Sequence, residues 1–201
     1  MGKVTCGIAM SLDGFVAGPN QRLDKPFGDI DEDVLHGWMF GPEADKHKAE
    51  REYNVDAGAF IMGLNMFVPK EKRDDPEWKG WWGDNPPFHA PVFVLCKEPR
   101  ESIAMEGGTV FHFVTGGTSE ALQRATEAAE GKDVEIGGGV STVRQYLEAG
   151  LIDELNVAIA PMLLGSGEHL LYGLDLTALG YECTTHVPTA AATHVMLTKR
   201  Q

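Results

Sequence analysis

The chain has 201 residues, 43% of them hydrophobic, enough for one large core in a single domain. Lys and Arg number 17 against 30 Asp and Glu, and the formal charge of -13 argues against nucleic acid and anionic membranes as partners. Cys6, Cys96 and Cys183 lie far apart, with no Cys-x-x-Cys and no His-x-x-x-His, which disfavours a disulfide framework and predicts no metal site.

In chain order, "KVTCGIAM" (3–10) is a β-rich apolar run, and "SLDG" after it marks a turn. "FVAGPNQRLDKPFGD" reads as a long loop. Residues 31–53 carry helix formers interrupted by Gly41-Pro42, so a helix is expected at about 43–53. "AGAFIMG" (57–63) is a buried strand, with a short helix after Gly63. Residues 69–91 form a long insertion containing Trp78, Trp81 and Trp82, of a length that is usually functional or self-packed. The tryptophans could wall a flat substrate or pack a subunit interface, since their apolar area disfavours isolated exposure. "PVFVLCK" (91–97) and "GTVFHFV" (108–114) are strands. "SEALQRATEAAEG" (119–131) carries a helical stripe at 121, 122, 125, 128 and 129, ended by Gly131. "VEI" (134–136) is a short strand, and 140–149 is a helix closed by Gly150. "ELNVAIA" (154–160) alternates as a strand, and 181–187 with 192–198 form a hairpin across "PTAA". The pattern is that of an α/β domain with a mostly parallel sheet and an antiparallel edge. With no signal-peptide core and no apolar run of about 18 residues, the expectation is a cytoplasmic protein. His89, His112, His169, His186 and His194 show no partner pattern and are expected in core or surface roles.

Between the strand at 134–136 and the helix at 140–149 stand Gly137, Gly138 and Gly139, followed by Val140, Ser141 and Thr142. A helix start offers unpaired N–H groups and about half a positive charge, so this stretch could cradle a phosphate without a lysine. It could equally be a tight strand–helix packing turn. There is no Gly-Lys-[Ser/Thr] of a P-loop, and Gly137-x-Gly139-x-x-Thr142 lacks the third glycine of the Rossmann pattern.

"IGGGVSTVRQYLEAGLIDELNVAIAPMLLGSGEHLL" (136–171) resembles the C-terminal reductase domain of bacterial riboflavin-biosynthesis deaminase-reductases and the stand-alone proteins related to it. The likeness continues through "MSLDGFVAG" (10–18), "IMGLNMF" (61–67) and "GWWGDNPPFHAPVFVL" (80–95). It implies a dihydrofolate-reductase-like fold: a mostly parallel central sheet with helices on both faces and an antiparallel C-terminal hairpin. It also implies NADPH-dependent hydride transfer to a small heteroaromatic or imine-type substrate, in a homodimer. The zinc deaminase signature of the bifunctional proteins is absent.

By the resemblance, Gly137 to Thr142 would hold the cofactor pyrophosphate, and Ala17 and Gly18 would lie beside the nicotinamide. Gly18-Pro19 can also be read as a loop corner. Where family members often carry Gly-Arg, this chain has Gly63-Leu64-Asn65-Met66, so that cation is missing. Where they often show Thr-His, it has Cys96-Lys97; Lys97 could pair with a 2′-phosphate or stay solvated, and NADH is not excluded as cofactor. The acids of 29–53 include none that a motif singles out as proton donor. Asp13 is a weak candidate for that role, more readily explained as the cap of the Asp-Gly turn. A nucleotide- or flavin-binding protein on the same fold, without turnover, is the alternative.

Overall fold

The computed structural model describes residues 2–42, 44–53 and 56–200, with backbone alone at Val34. The strands are β1 (Val4–Ser11), β2 (Phe15–Ala17), β3 (Ala59–Gly63), β4 (Pro91–Leu95), β5 (Ile103–Ala104), β6 (Val110–Val114), β7 (Val134–Gly138), β8 (Glu154–Ala160), β9 (Glu168–His169), β10 (Tyr181–Pro188) and β11 (Thr193–Lys199). The α-helices are α1 (Glu32–Phe40), α2 (Lys48–Arg51), α3 (Leu64–Phe67), α4 (Gly117–Ala128) and α5 (Val140–Glu148).

Nine strands form one sheet in the order β10-β11-β8-β1-β7-β3-β4-β6-β5, and β2 pairs with β9 separately. The block from β8 to β6 is parallel; β11 returns antiparallel on β8 with β10 beyond it, and β5 is antiparallel to β6. The C-terminal hairpin and the parallel centre thus form as the alternation implied.

Strand alternation sorts the core into two faces. Cys6, Met10, Ile61, Phe93, Val134, Ile136, Leu155 and Val157 point to the side covered by α4 and α5, which bring Ala121, Ala125, Val143, Tyr146 and Leu147. On the other side, Phe60, Met62, Val92, Val94, Phe111 and Phe113 meet Phe67 of α3. Trp78 and Trp82 of the 69–91 segment pack there too, and Trp78 Nε1–H donates to Phe67 O at 2.9 Å. That segment therefore covers a sheet face instead of hanging free. Further along the same side, Ala9, Ala158 and Ala160 receive Leu35 and Trp38 of α1.

Two sequence expectations are corrected. The stretch from Phe15, read as a long loop, opens with β2, which pairs with β9. The main helix of residues 31–53 precedes Gly41-Pro42, as α1 over 32–40, and the expected helix at 43–53 is a 3-10 turn (Ala44–His47) followed by the four-residue α2; residue 43 is outside the described residues. Asp31 explains the start of α1, because its carboxylate caps Asp33 N–H. Burial of Leu35 and Trp38 on the sheet fixes the helix against its modest amphipathicity. Gly41, extended, ends it.

Candidate functional site

The sheet opens where β1 and β7 part. β1 stays paired with β8 from Thr5 to Ser11, while its register with β7 runs only through Val4–Val134 and Thr5–Glu135. Gly7 N–H, which a longer ladder would have directed to β7, donates instead to Glu135 Oε1 at 2.8 Å. Thr5 Oγ1–H donates to Oε2 of the same buried carboxylate at 2.7 Å. One side chain thus satisfies the backbone that the parting strands leave over. The gap becomes a cleft of about 1290 Å³, lined by Gly7 and Ala9 on one side and Gly137 to Thr142 on the other. Pockets for one drug-sized ligand span roughly 300–1,000 Å³, so the cleft is larger than a single such ligand needs. The ends of β3 and β4 border it through Gly63 and Leu95, the usual ligand side of a parallel sheet.

The three glycines differ in what they are for. Gly138 has φ +123, a conformation L side chains rarely adopt, and an added Cβ would press on Met66 Sδ at 3.2 Å. At Gly137 the same atom would make ordinary contacts at 3.8 Å, and at Gly139 it would meet no protein atom within 4 Å. Backbone and packing therefore require glycine at 138 only. At 139 the absent side chain keeps the cleft wall open. Gly139 is also the N-cap of α5 and offers no capping side chain, and the first turn carries no acid. The positive end of that helix is left facing the cleft without internal compensation. Thr142 sits against Gly63, where a Cβ would come within 2.5 Å of its Oγ1, so Gly63 lets β3 and α5 touch.

Of the other expected site residues, Ala17, Asn65, Met66, Cys96 and Lys97 line the cleft. Gly18 is not among the lining residues: its N–H donates to Phe27 O at 2.8 Å, and a Cβ would strike Ile30, so it behaves as the loop corner. Burial raises the Cys96 thiol, whose sulfur donates to Glu98 O at 3.1 Å, a poor setting for a nucleophile. Asp13 also stands outside the lining. Ser11 Oγ–H, Leu164 N–H and Gly165 N–H all donate to its carboxylate and hold its pKa at about 2, so it clamps a loop and does not serve as a proton donor.

The fold gathers residues that spacing could not. Arg73 and Arg100 join Lys97 in the lining, supplying cations where Leu64 replaces the family's arginine. Arg100 lies over Phe113 at 5.0 Å and Phe67 at 6.0 Å, which holds its guanidinium in place. Arg73 donates to Asn65 Oδ1. Glu50 is the one acid of segment 29–53, among the described residues, that lines the cleft. His194 takes the core role expected of it, and spacing could not show its neighbour: His47 and His194, distant in sequence, are buried with His47 Nδ1 and His194 Nε2 2.8 Å apart. Their ligand atoms and a Glu50 oxygen lie within 4.8 Å of one another. No sequence signal marks this group, because it forms only when β11 docks on β8 beneath α1 and the turn after it. Trp78, Trp81 and Trp82 divide their work: the last two line the cleft, and Trp78 meets Trp81 edge-on at 5.2 Å.

Comparison with known proteins gives the same picture. The chain is 21% identical over 174 residues to the uncharacterized protein YyaP of Bacillus subtilis (strain 168), covering 84% of this chain and 79% of that one. A putative riboflavin biosynthesis protein from Shewanella sp. PV-4 matches with a TM-score of 0.66 at 21% identity, over 99% of each chain. Acinetobacter baumannii RibD matches with a TM-score of 0.61 at 17% identity; all of this chain aligns and spans 59% of that protein. Residues 2–195 match the family described as the RibD C-terminal domain. With the parted strands, the glycine-led helix and this match over nearly its whole length, the chain belongs to the RibD C-terminal domain family, a reductase-type domain of riboflavin biosynthesis.

Proposed function

We propose that the protein is an NADPH-dependent reductase that transfers hydride to a small heteroaromatic or imine-type substrate of the pteridine or ribitylamino-pyrimidine kind. The observation that carries this reading is Gly139, where a side chain would project into the cleft at the uncompensated positive end of α5. The nicotinamide cofactor, when bound, supplies the hydride. The chain's own residues bind and orient. The backbone of Gly137 to Thr142 takes the pyrophosphate, Ala17 leaves room for a flat ring, and Arg73, Lys97 and Arg100 offset a net charge of -13 that opposes an extra phosphate. Trp81 and Trp82 exclude water from the rim.

Gly139→Val tests the reading. Its φ of -69 suits any residue and an added Cβ meets no protein atom within 4 Å; thermal melting of the variant checks that it folds. NADPH affinity should fall by at least about tenfold, or 1.4 kcal/mol. A folded Gly139→Val protein with unchanged affinity would mean that no cofactor lies against the glycines. NADPH oxidation with a pteridine or pyrimidine substrate tests turnover, and tight binding without it would make the protein a nucleotide-binding one.

A further inference from the structure

His47 closes the 3-10 turn after α1, and Glu50 follows three residues on in α2, a spacing that sets both side chains on one face. β11, in register with β8, brings His194 opposite Ala158 on the sheet face that α1 covers. The three residues offer ligand-type atoms within 4.8 Å of one another. Both imidazoles are buried, whereas Glu50 is half-buried and borders the cleft.

His47 Nδ1 and His194 Nε2 face each other at 2.8 Å, so at least one of them aims a bare lone pair into the gap. His194 Nδ1 has no partner, which leaves the contact with His47 as the only hydrogen bond of that ring. On the far side of His47, Nε2 lies 3.4 Å from Thr189 Oγ1, a hydroxyl itself held by Ala191 N–H at 3.2 Å and Ala192 N–H at 3.0 Å. An oxygen against the second ring nitrogen is the usual outer support of a metal-bound imidazole. Trp38 stands edge-on to both rings, 5.8 Å from His47 and 4.7 Å from His194, and steadies their planes. Among the described residues Glu50 has no hydrogen-bond or ion-pair partner. A hydrogen bond between the imidazoles explains the ring pair and gives this carboxylate no part.

We propose that His47, Glu50 and His194 bind one divalent ion of the zinc class, with a fourth position completed by water or an oxygen ligand from the Glu50 side. Two imidazoles and a carboxylate are a ligand set of open zinc sites, whose bonds of about 2.0–2.2 Å space the donors about 3.3–3.5 Å apart. Reaching that geometry opens the imidazole pair by about 0.5 Å and swings the untethered Glu50 side chain inward by about 1 Å. The ion replaces the one hydrogen bond of the His194 ring with a bond to metal and gives the Glu50 carboxylate a counter-charge. It enters past Glu50, the half-buried member, and the chain's formal charge of -13 favours its approach. The site is independent of the reductase reading.

The full chain, stripped with a chelator and titrated with zinc against a competing indicator dye, should take up one equivalent. Zinc at about a hundredfold over its Kd should raise the melting temperature by about 5–10 °C. Cobalt(II) in its place should show the strong visible absorption of four-coordinate ligation. Glu50→Gln keeps the shape of the side chain, removes its charge and should weaken zinc by about tenfold or more. His194→Phe should abolish the site. Cys183 is exposed and carries a soft donor of its own, so Cys183→Ser is the control and should bind zinc as wild type does. Melting of each zinc-free variant shows whether it folds, and if His194→Phe does not, Glu50→Gln decides alone. No saturable binding by wild type overturns the site. So does one-equivalent binding that keeps its affinity in Glu50→Gln or is lost in Cys183→Ser.

Discussion

At Asp13 a single carboxylate ties together segments far apart in the chain. Its folded pKa is about 2 against an ordinary value of 3.8, held down first by the Ser11 hydroxyl and then by Leu164 N–H. A depressed carboxylate stabilises the fold above its unfolded pKa and loses that contribution as pH falls through the folded one. Asp13→Asn should therefore melt below wild type near neutrality, and the gap should close between about pH 4 and 2. A gap that persists at low pH would mean that the carboxylate charge is not what holds 162–165. Lys97 is a different case, because it is exposed. A screened contact of that kind is worth up to about 1 kcal/mol, so Lys97→Ala should weaken NADPH by about fivefold or less and spare NADH. Arg100→Ala should cost more, since its guanidinium is half-buried and held over two rings. Equal losses for both cofactors in both variants would show that neither cation reads the 2′-phosphate.

At the scale of elements, α5 is the part that joins the core to the cleft. Val143, Tyr146 and Leu147 anchor one side of it, while Val140, Ser141 and Thr142 present its first turn. Tyr146 Oη–H donates to Thr118 O at 2.8 Å, which pins the first turn of α4, where Gly117 and Thr118 also line the cleft. Arg144 ties the outer side of the helix to Leu170 O at 2.8 Å and Tyr172 O at 2.9 Å. Tyr146→Phe keeps the ring and removes the tether. It should cost about 1 kcal/mol in denaturant unfolding, through loss of one partly buried hydrogen bond. Unchanged stability would show that Thr118 O is equally well served by water.

At the scale of the whole molecule, no helix among the described residues is long and apolar enough to cross a membrane. The surface does carry apolar side chains that a monomer gains nothing by showing. Leu12 is 65%, Leu163 71% and Tyr172 78% exposed. The first two sit on loops joined by the Leu12 N–H to Met162 O bond at 2.9 Å, and Tyr172 reaches the same region through its edge contact with His169, which packs on Phe15. We propose this patch as the contact of a homodimer. Light scattering should give twice the chain mass, and Leu163→Asp should shift it toward one. A Leu163→Asp protein that remains dimeric would place the contact elsewhere.

The fold class and the glycine-led helix were legible because both rest on local physics. Alternation of apolar residues marks strands such as 154–160 wherever they end up, and a glycine run before a helical stripe marks an open helix start. Gly41-Pro42 was legible as a break, but which side of it held the longer helix was not. That depended on the alanine-lined sheet face that Leu35 and Trp38 cover, and no local pattern reveals such a face. Sequence likewise could not distinguish Gly138, whose φ of +123 disfavours a side chain, from Gly139, where an added Cβ would meet no protein atom within 4 Å. Lys97 could be read from its place at a strand end; Arg73 and Arg100 could not, because their approach depends on how the 69–91 and 97–102 segments fold back over the sheet. The sequence by itself determined the longer strands, the helix start at 139 and the family, while the short β2, β5 and β9 carry too few residues for any alternation to show. Only the tertiary structure decided where β1 and β7 part, and which of several acids and histidines face the gap. Those side chains come from elements up to 156 positions apart, as Trp38 and His194 are, and only packing against a common sheet face brings them together.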